Sequence, residues 1–273
     1  MTAPRIDLYS DTHTLPTQAM RQAMAEAEVG DEQNFEDPTV NKLCAMVAEL
    51  LGQEAAVFLP SGTMCNQIAF RVHCQPGDEI ILDYFAHPIN AESGGPSALA
   101  QAQTRTLHTE HGIFTADQVR GALRRVNRNT PRSRVLSVEN TTNAGGGSVW
   151  PIEDIAAVTA VAKENGMATH MDGARLLNAV VESGTSAKEY GGYFDSLWID
   201  LSKGLGCPVG GVLAGSADFI DQAWRHKQLL GGAMRQAGII AAAGVYALEN
   251  NVERLAEDHE NARNFSRAIA QIP

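Results

Sequence analysis

The chain has 273 residues, of which 44% are hydrophobic, and its 21 basic and 32 acidic side chains give a formal net charge of −11. A chain of this length can bury a large core, with or without a smaller appended domain. The acidic balance repels phosphate backbones and anionic membrane surfaces, so we expect neither nucleic acid nor a membrane as a partner.

Short apolar runs alternate with longer amphipathic stretches along the chain. The predicted helices are Thr17 to Ala27, Pro38 to Leu51, Met64 to Val72, Ala116 to Val126, Ile152 to Asn165 and Phe219 to Leu229. The predicted strands are Ala55 to Leu59, Glu79 to Asp83, Val135 to Glu139, Met167 to Met171, Ser196 to Asp200 and Gly211 to Ala214. This alternation predicts an α/β fold with a mostly parallel central sheet.

The last stretch, Ala241 to Ile272, has a helical pattern almost to the final proline. Because the pattern is still running where the sequence stops, we expect either that the chain is truncated there or that the protein lacks part of the substrate site.

The cysteines and the N-terminal segment indicate the compartment. The four cysteines form no Cys-x-x-Cys pair and have no histidine at zinc-finger spacing, so we expect reduced thiols and no metal site. The N-terminus lacks the pattern of a signal peptide, and no run of about 18 apolar residues occurs. A cytoplasmic location is therefore expected.

The sequence Ser61-Gly62-Thr63 lies between a predicted strand and a predicted helix. A helix N-terminus offers unpaired N–H groups, and Gly62 permits close backbone approach, so this turn could hold a phosphate group. Ordinary N-capping of the helix explains the same residues and is the commoner case.

An aspartate, Asp172, follows the predicted strand Met167 to Met171. A carboxylate at the end of a buried strand needs a cationic partner, which the protonated nitrogen of a pyridine ring could provide. Capping of the next helix, or an ion pair with Arg175, is an equally good explanation of Asp172 alone.

A lysine, Lys203, follows the predicted strand Ser196 to Asp200 and precedes a glycine-rich turn. A partly desolvated amine in this place could form an imine with an aldehyde. For Lys203 alone, a solvated loop residue is the favoured explanation. The order of phosphate turn, strand-end aspartate and lysine, each at a strand's carboxyl end, favours a cofactor site.

A set of motifs extends from Asp7 to Gln236. It comprises Asp7 to Thr12, Glu36 to Asn41, Ser61 to Met64, Glu92 to Gly95, Glu139 to Thr141, His170 to Arg175, Ser202 to Gly210 and Gly231 to Gln236. In these stretches the chain resembles the threonine aldolases of the β-eliminating lyase superfamily. The resemblance implies the aspartate-aminotransferase-like fold (fold type I) and the cofactor pyridoxal 5′-phosphate (PLP).

The resemblance also assigns cofactor-binding residues. It implies Lys203 as the Schiff-base lysine, Asp172 as the partner of the pyridine nitrogen, and Gly62 with Thr63 as the phosphate-binding pair. His87 matches a histidine that stacks on the cofactor ring, and we expect it to be the catalytic base. Between apolar neighbours a histidine is ordinarily structural.

Three further residues match positions near the substrate or a second subunit. Arg175 corresponds to a residue near the ring oxygen or the substrate carboxylate, and Ser10 to a serine near that carboxylate. Arg235 corresponds to an arginine that reaches the phosphate of a neighbouring subunit. The resemblance therefore implies a homo-oligomer, a dimer or a dimer of dimers (a homotetramer), with shared active sites.

The chain departs from the family pattern at three places. Phe35 precedes the Glu-Asp-Pro-Thr motif where many relatives have a tyrosine, and Thr142 replaces a histidine that often follows Glu-Asn-Thr. The loop from Arg128 to Pro131 also lacks a histidine found in some relatives. These differences affect the expected aldehyde and diastereomer preference rather than the cofactor.

The domain prediction follows from the resemblance. We expect a PLP-binding large domain with an N-terminal arm at residues 1–240, and the incomplete start of a small C-terminal domain at 241–273. The family's small domain carries an arginine for the substrate carboxylate, and the sequence stops before that position.

The predicted reaction is the cleavage of L-threonine, L-allo-threonine or a related β-hydroxy-α-amino acid into glycine and an aldehyde. Another PLP reaction on the same fold, such as β-elimination or transamination, is an alternative, because a fold does not fix its chemistry. A catalytically weak PLP-binding regulatory protein is a second alternative, suggested by the absent C-terminal arginine.

Overall fold

A computed structural model describes residues 6–272, which contain one seven-stranded sheet. The strand order across the sheet is β1-β7-β6-β5-β4-β2-β3. The strands are β1 (Ala55–Leu59), β2 (Glu79–Asp83), β3 (Gln103–Leu107), β4 (Ser133–Glu139), β5 (Ala168–Gly173), β6 (Ser196–Asp200) and β7 (Gly211–Gly215).

The sheet is parallel except at one strand. β7 pairs antiparallel with both β1 and β6, while the pairings β2–β3, β2–β4, β4–β5 and β5–β6 are parallel. The other six strands therefore run in one direction, and their carboxyl ends meet at the same edge of the sheet. In open α/β sheets this edge is where ligands bind.

Twelve α-helices surround the sheet within the described residues. They are α1 (Gln18–Ala25), α2 (Pro38–Leu51), α3 (Gly62–His73), α4 (His87–Asn90), α5 (Gly95–Ala98), α6 (Ala116–Ala122), α7 (Ile152–Glu164), α8 (Leu176–Ser183), α9 (Ala187–Gly191), α10 (Ala217–Leu229), α11 (Gly238–Asn250) and α12 (Leu255–Ile269). Short 3-10 helices occupy Asp11–His13 and Glu32–Asn34.

Side-chain caps fix where the main helices begin. Asp37 accepts hydrogen bonds from the first-turn N–H groups of α2, and Pro38 at the first helical position has no N–H to satisfy. The hydroxyl of Ser61 accepts a hydrogen bond from the backbone N–H of Met64 at the start of α3. These caps explain why α2 begins at Pro38, as predicted, and why α3 begins at Gly62, two residues before the predicted Met64.

Most predicted elements are confirmed, and the exceptions have physical causes. The predicted helix Ala116 to Val126 stops at Ala122, because the backbone is extended at Leu123 and Val126 is fully exposed. The predicted helix Ala241 to Ile272 is interrupted after Asn250, where the Asn251 side chain donates a hydrogen bond to the carbonyl of Leu205.

The core lies on both faces of the sheet. Helix α11 packs against α1 and α2, and its buried alanines join the main hydrophobic cluster. Helices α3 and α10 pack against each other on β1, β6 and β7. Between residues 6 and 272, the structure contains no helix long and apolar enough to cross a membrane.

Candidate active site

A cavity of about 200 Å³ opens at the carboxyl edge of the sheet. It is lined by residues that follow several strands: Thr12, Ser61, Gly62, Thr63, His87, Glu139, Asn143, Asp172, Ala174, Arg175, Trp198, Asp200, Ser202 and Lys203. Six of the eight predicted site residues are in this lining. The other two, Ser10 and Arg235, are not.

Lys203 reaches the cavity three residues after the end of β6. Its Nζ lies 3.2 Å from a carboxylate oxygen of Asp200, and only 15% of its side chain is exposed. Its backbone carbonyl accepts a 2.7 Å hydrogen bond from the hydroxyl of Thr14. The lysine is therefore held by its own strand end and by the N-terminal segment, with its amine at the cavity.

Asp172 lies near the carboxyl end of β5 and is 2% exposed. One carboxylate oxygen accepts a hydrogen bond from the side-chain amide of Asn66 at 2.8 Å, and the other accepts one from the backbone N–H of Ala174 at 3.1 Å. Burial, with a smaller contribution from the negative charge of Glu139, raises the pKa of Asp172 to about 7. A cation in the cavity would favour its ionised form.

The start of α3 forms one end of the cavity. Helix geometry leaves the N–H groups of Gly62 and Thr63 without intrahelical acceptors, and both residues line the cavity. A Cβ atom on Gly62 would lie 2.2 Å from the Trp198 ring, so only glycine fits here without displacing that ring. The helix dipole adds a partial positive charge suited to an anion.

His87 is the first residue of α4. Its Nδ1 lies 2.8 Å from Glu92, and its backbone N–H donates a 2.8 Å hydrogen bond to Glu139. The hydrogen bond to Glu92 raises the pKa of His87, against the opposing effect of burial. The other ring nitrogen, Nε2, is left available at the cavity.

Arg175 lines the cavity but already has a partner. Its Nε and Nη2 atoms donate hydrogen bonds of 2.8 and 2.7 Å to the carboxylate of Asp11. Ser10 stabilises the same segment, because its hydroxyl accepts hydrogen bonds from the backbone and side chain of Thr12, which does line the cavity.

Arg235 lies apart from this lining. Its guanidinium pairs with Asp31 at 2.7 Å, and 64% of its side chain is exposed. The structure therefore places Arg235 on the surface of the chain.

Several residues in or beside the cavity had no role assigned from the sequence, among them Asn66, Glu92, Glu139, Trp198 and Asp200. Asn66 lies one turn into α3 and is fully buried, although the buried positions of this helix, apart from Asn66 and Gln67, are apolar. A polar side chain among buried apolar positions of an amphipathic helix is the signal that could have identified it.

Comparison with known proteins places the chain in a family. The sequence model of the β-eliminating lyases matches residues 7–273. The chain belongs to the β-eliminating lyase family. This family, with its threonine aldolases, is PLP-dependent.

Relatives of this β-eliminating lyase are similar over most of its length. The low specificity L-threonine aldolase of Escherichia coli (strain K12) is 46% identical over 258 residues, which cover 94% of this chain and 77% of that protein. The low-specificity L-threonine aldolase 1 of Arabidopsis thaliana is 40% identical over 271 residues, 98% of this chain and 76% of the relative.

A solved structure shares the fold of this β-eliminating lyase. The threonine aldolase of Leishmania major superposes with a TM-score of 0.83 at 20% identity, covering 93% of this chain and 76% of that one. At this identity the similarity confirms the fold alone, which is the predicted fold type I.

The residues of the cavity fit PLP. Lys203 offers an amine for the aldehyde, the start of α3 offers N–H groups for the phosphate, and Asp172 offers a buried carboxylate for the pyridine nitrogen. The raised pKa of Asp172 is what a buried carboxylate shows before a cationic partner is added.

Proposed function

We propose that this protein is a PLP-dependent aldolase that cleaves L-threonine, L-allo-threonine or a related β-hydroxy-α-amino acid into glycine and an aldehyde. One observation carries the proposal: Lys203, Asp172 and the start of α3 line a single cavity. The 46% identity to the E. coli low specificity L-threonine aldolase supports the choice of reaction within the family.

Three groups would hold the cofactor. The amine of Lys203 would bind its aldehyde carbon, Asp172 would accept a hydrogen bond from the ring nitrogen, and the N–H groups of Gly62 and Thr63 would bind the phosphate. Bound PLP supplies an electron sink for the pair left on the substrate's Cα when the Cα–Cβ bond breaks.

His87 is the proposed base for the β-hydroxyl proton, directly or through a water molecule. Its hydrogen bond to Glu92 places a proton on Nδ1, so the neutral ring presents Nε2 as a proton acceptor. Loss of the hydroxyl proton to Nε2 accompanies cleavage of Cα–Cβ and formation of the aldehyde. Lys203 or a water then returns a proton to Cα, which completes glycine.

Arg175 and Ser10 are proposed to bind the substrate carboxylate. Asp11 occupies Nε and Nη2 of Arg175, which leaves Nη1 for a second carboxylate. Ser10 caps the segment that brings Asp11 and Thr12 to the cavity, which supports a place for it at the cavity rim.

We also propose a homo-oligomer, a dimer or dimer of dimers, in which Arg235 reaches the phosphate site of the partner subunit. Two features support this arrangement. The side chain of Arg235 is largely exposed, and several large apolar side chains are exposed on the described surface, among them Tyr9, Leu15, Phe35 and Leu229.

The shared site has a direct test. Lys203→Ala and Arg235→Ala variants are each expected to have low activity, but a mixed dimer contains one intact site. Random mixing should therefore restore about a quarter of the wild-type activity per subunit. Mixtures that stay as inactive as their components would contradict a shared site.

We also propose the domain division and the cytoplasmic location that the sequence predicts. The boundary between the proposed large domain (1–240) and the start of the small domain (241–273) falls within α11, which packs against α1 and α2. A cytoplasmic location is supported by Cys44, Cys65, Cys74 and Cys207, which are all free thiols.

The reaction is tested by product analysis with L-threonine and PLP. Aldol cleavage yields glycine and acetaldehyde in equal amounts, whereas a 2-oxo acid would indicate elimination or transamination. Lys203→Ala should lose both turnover and the borohydride-reducible attachment of PLP, while the exposed control Lys163→Ala keeps both. A reducible linkage that survives in Lys203→Ala would contradict the assignment of the lysine.

A further inference from the structure

A continuous network of hydrogen bonds passes through the interior behind the cavity. It begins at His73, at the C-terminal end of α3, and continues through Ser196 of β6 and His170 of β5. It then reaches Asn66 of α3, whose amide contacts both Asp172 and Glu92. His170, Ser196 and Asn66 are fully buried.

The orientation of the Asn66 amide follows from its neighbours. Its Oδ1 lies 2.8 Å from the indole Nε1 of Trp198, which can only donate. Its Nδ2 lies 2.8 Å from Asp172 and 2.7 Å from Glu92, which as carboxylates can only accept. The two hydrogens of Nδ2 are therefore divided between two carboxylates.

The protons on the two histidines follow in turn. His170 Nε2 faces Asn66 Oδ1 at 3.1 Å, so this nitrogen carries the hydrogen, and Nδ1 accepts from the Ser196 hydroxyl at 2.9 Å. The Ser196 oxygen then accepts from His73 Nε2 at 2.8 Å. Burial lowers the pKa of His170 to about 3 and that of His73 to about 4, so both rings are neutral.

Glu92, at the far end of the network, accepts hydrogen bonds both from α3 and from His87. Glu92 accepts hydrogen bonds from Asn66 and, through its other oxygen, from Gln67 at 2.5 Å. The remaining donor to Glu92 is His87 Nδ1 at 2.8 Å. Three carboxylates lie around His87, namely Glu92, Glu139 and Asp172. The hydrogen bonds that the His87 ring makes determine which of its two nitrogens carries the proton.

We infer that Asn66 is a positioning residue that holds two catalytic elements at once: the carboxylate of Asp172 and the Glu92–His87 pair. The inference rests on the proposed function only through the roles of Asp172 and His87. Because both hydrogens of one amide are used, loss of Asn66 removes a donor from each carboxylate. The hydrogen-bonded chain of half-buried His73 with buried Ser196 and His170 fixes the acceptor side of the same amide.

Three variants separate the donor side of the Asn66 amide, Nδ2, from its acceptor side, Oδ1. Asn66→Ala removes both sides, and Asn66→Asp keeps an acceptor for Trp198 and His170 but cannot donate to both carboxylates. Gln67→Leu is the matched control, since Gln67 donates to Glu92 and not to Asp172. Among residues 6–272, Gln67 Oε1 has no hydrogen-bond partner, so leucine removes a buried unpaired atom at this position.

The first readout is PLP affinity of the apoprotein. Loss of a hydrogen bond to a charged group should weaken binding at least about tenfold in Asn66→Ala and Asn66→Asp, and less than about threefold in Gln67→Leu. An Asn66→Asp variant that binds PLP as tightly as wild type overturns the inference. So does a Gln67→Leu variant that weakens binding as much as Asn66→Ala does.

The second readout is the ¹⁵N spectrum of the histidine rings in the apoprotein, which does not depend on activity. We expect His170 to carry its proton on Nε2 in wild type, Asn66→Asp and Gln67→Leu, and to lose this preference in Asn66→Ala. His87 should change in all three variants, because each removes a donor from Glu92. An unchanged His87 in Asn66→Ala contradicts the inference, whereas a wild-type protein that binds no PLP contradicts the proposed function instead.

Discussion

Glu139 and Asp172 are register partners on the adjacent parallel strands β4 and β5, and both line the cavity. Residues paired in this way have side chains on the same face of the sheet, so two carboxylates face one site. The negative charge of Glu139 thus adds to the effect of burial in raising the pKa of Asp172 to about 7.

Replacing Glu139 should therefore lower the pKa of Asp172. We expect the Glu139→Gln variant to have an Asp172 pKa below about 7 but still above the ordinary value of 3.8, because burial remains. Carboxyl ¹³C NMR of the labelled apoprotein measures this shift directly. Glu164→Gln, which removes an exposed charge at the end of α7, is the control and should leave the midpoint of Asp172 unchanged.

The raised pKa of Asp172 also affects the stability of the folded protein. A carboxyl whose pKa is raised by folding stabilises the folded state below its unfolded pKa, and this contribution is lost as the pH rises through the folded pKa. In the apoprotein the contribution of Asp172 is lost between pH 3.8 and about 7. Glu139→Gln should narrow the pH range over which this contribution is lost. Denaturant unfolding at several pH values measures that range, and an unchanged range would contradict the role of Glu139 in raising the pKa of Asp172.

Gly62 should tolerate no larger side chain. The Gly62→Ala variant places a methyl group against the Trp198 ring, which is 2% exposed and held by its hydrogen bond to Asn66. We expect a loss of roughly 1–3 kcal/mol in the free energy of unfolding and weaker PLP binding.

Substitution of a second glycine, Gly121, is a control with the opposite expected effect on stability. Gly121 lies in α6, and a Cβ atom there would meet no heavy atom of the described part of the chain within 4 Å. Gly121→Ala should stabilise the protein by about 0.5–1 kcal/mol, because alanine is the better helix former. Urea unfolding of both variants compares them, and equal effects at the two positions would refute the packing argument.

The sequence predicted the parts of the fold that have strong local signals. Apolar runs such as Ile80 to Leu82 predicted strands because both faces of a parallel sheet are buried. The edge strand β3 was missed, since Gln103, Thr104 and Arg105 are polar and its burial is partial. The reversed direction of β7 was not predicted either, because strand direction depends on long-range pairing.

The residues of the candidate site were also predicted only in part. Lys203 and Asp172 were predicted because strand ends and glycine turns mark them in the sequence. Asn66 and Glu92 were not, because a polar residue among apolar helix positions indicates burial at most and does not show which carboxylate Asn66 contacts. The three-dimensional packing of α3 on β5 and β6 brings these groups together.

The buried ion pair of Lys227 and Glu32 should be important for stability. The two side chains are fully buried with their charged atoms 2.8 Å apart, and Glu32 also accepts a hydrogen bond from the backbone N–H of Met234. Lys227→Met leaves a buried carboxylate without its cation, so we expect a loss of about 3–5 kcal/mol in the free energy of unfolding.

A second substitution tests this cause. Adding Glu32→Gln to Lys227→Met removes the unpaired charge, and unfolding measurements should show that part of the lost stability returns. A double variant less stable than Lys227→Met would show that the lost stability has another origin. Because the pair joins the segments that carry Asp31 and Arg235, Lys227→Met should also weaken PLP binding if Arg235 serves the partner's site.

His73 should make the protein sensitive to mild acid. Burial lowers its pKa to about 4, so the folded state stays neutral while the unfolded state takes up a proton below pH 6.5. A depressed pKa gives stability that is present above the unfolded pKa and is lost as the pH falls through the folded one. The contribution of His73 to the free energy of unfolding should therefore fall from pH 6.5 towards 4, by up to about 1.4 kcal/mol per pH unit, while the contribution of Asp172 changes in the opposite direction. His73→Phe keeps the stacking on Phe219, at 4.9 Å between ring centroids, and removes the titration. The contribution of Asp172 is common to both proteins, so the difference between their stability curves isolates His73, and parallel curves between pH 4 and 6.5 would contradict the prediction.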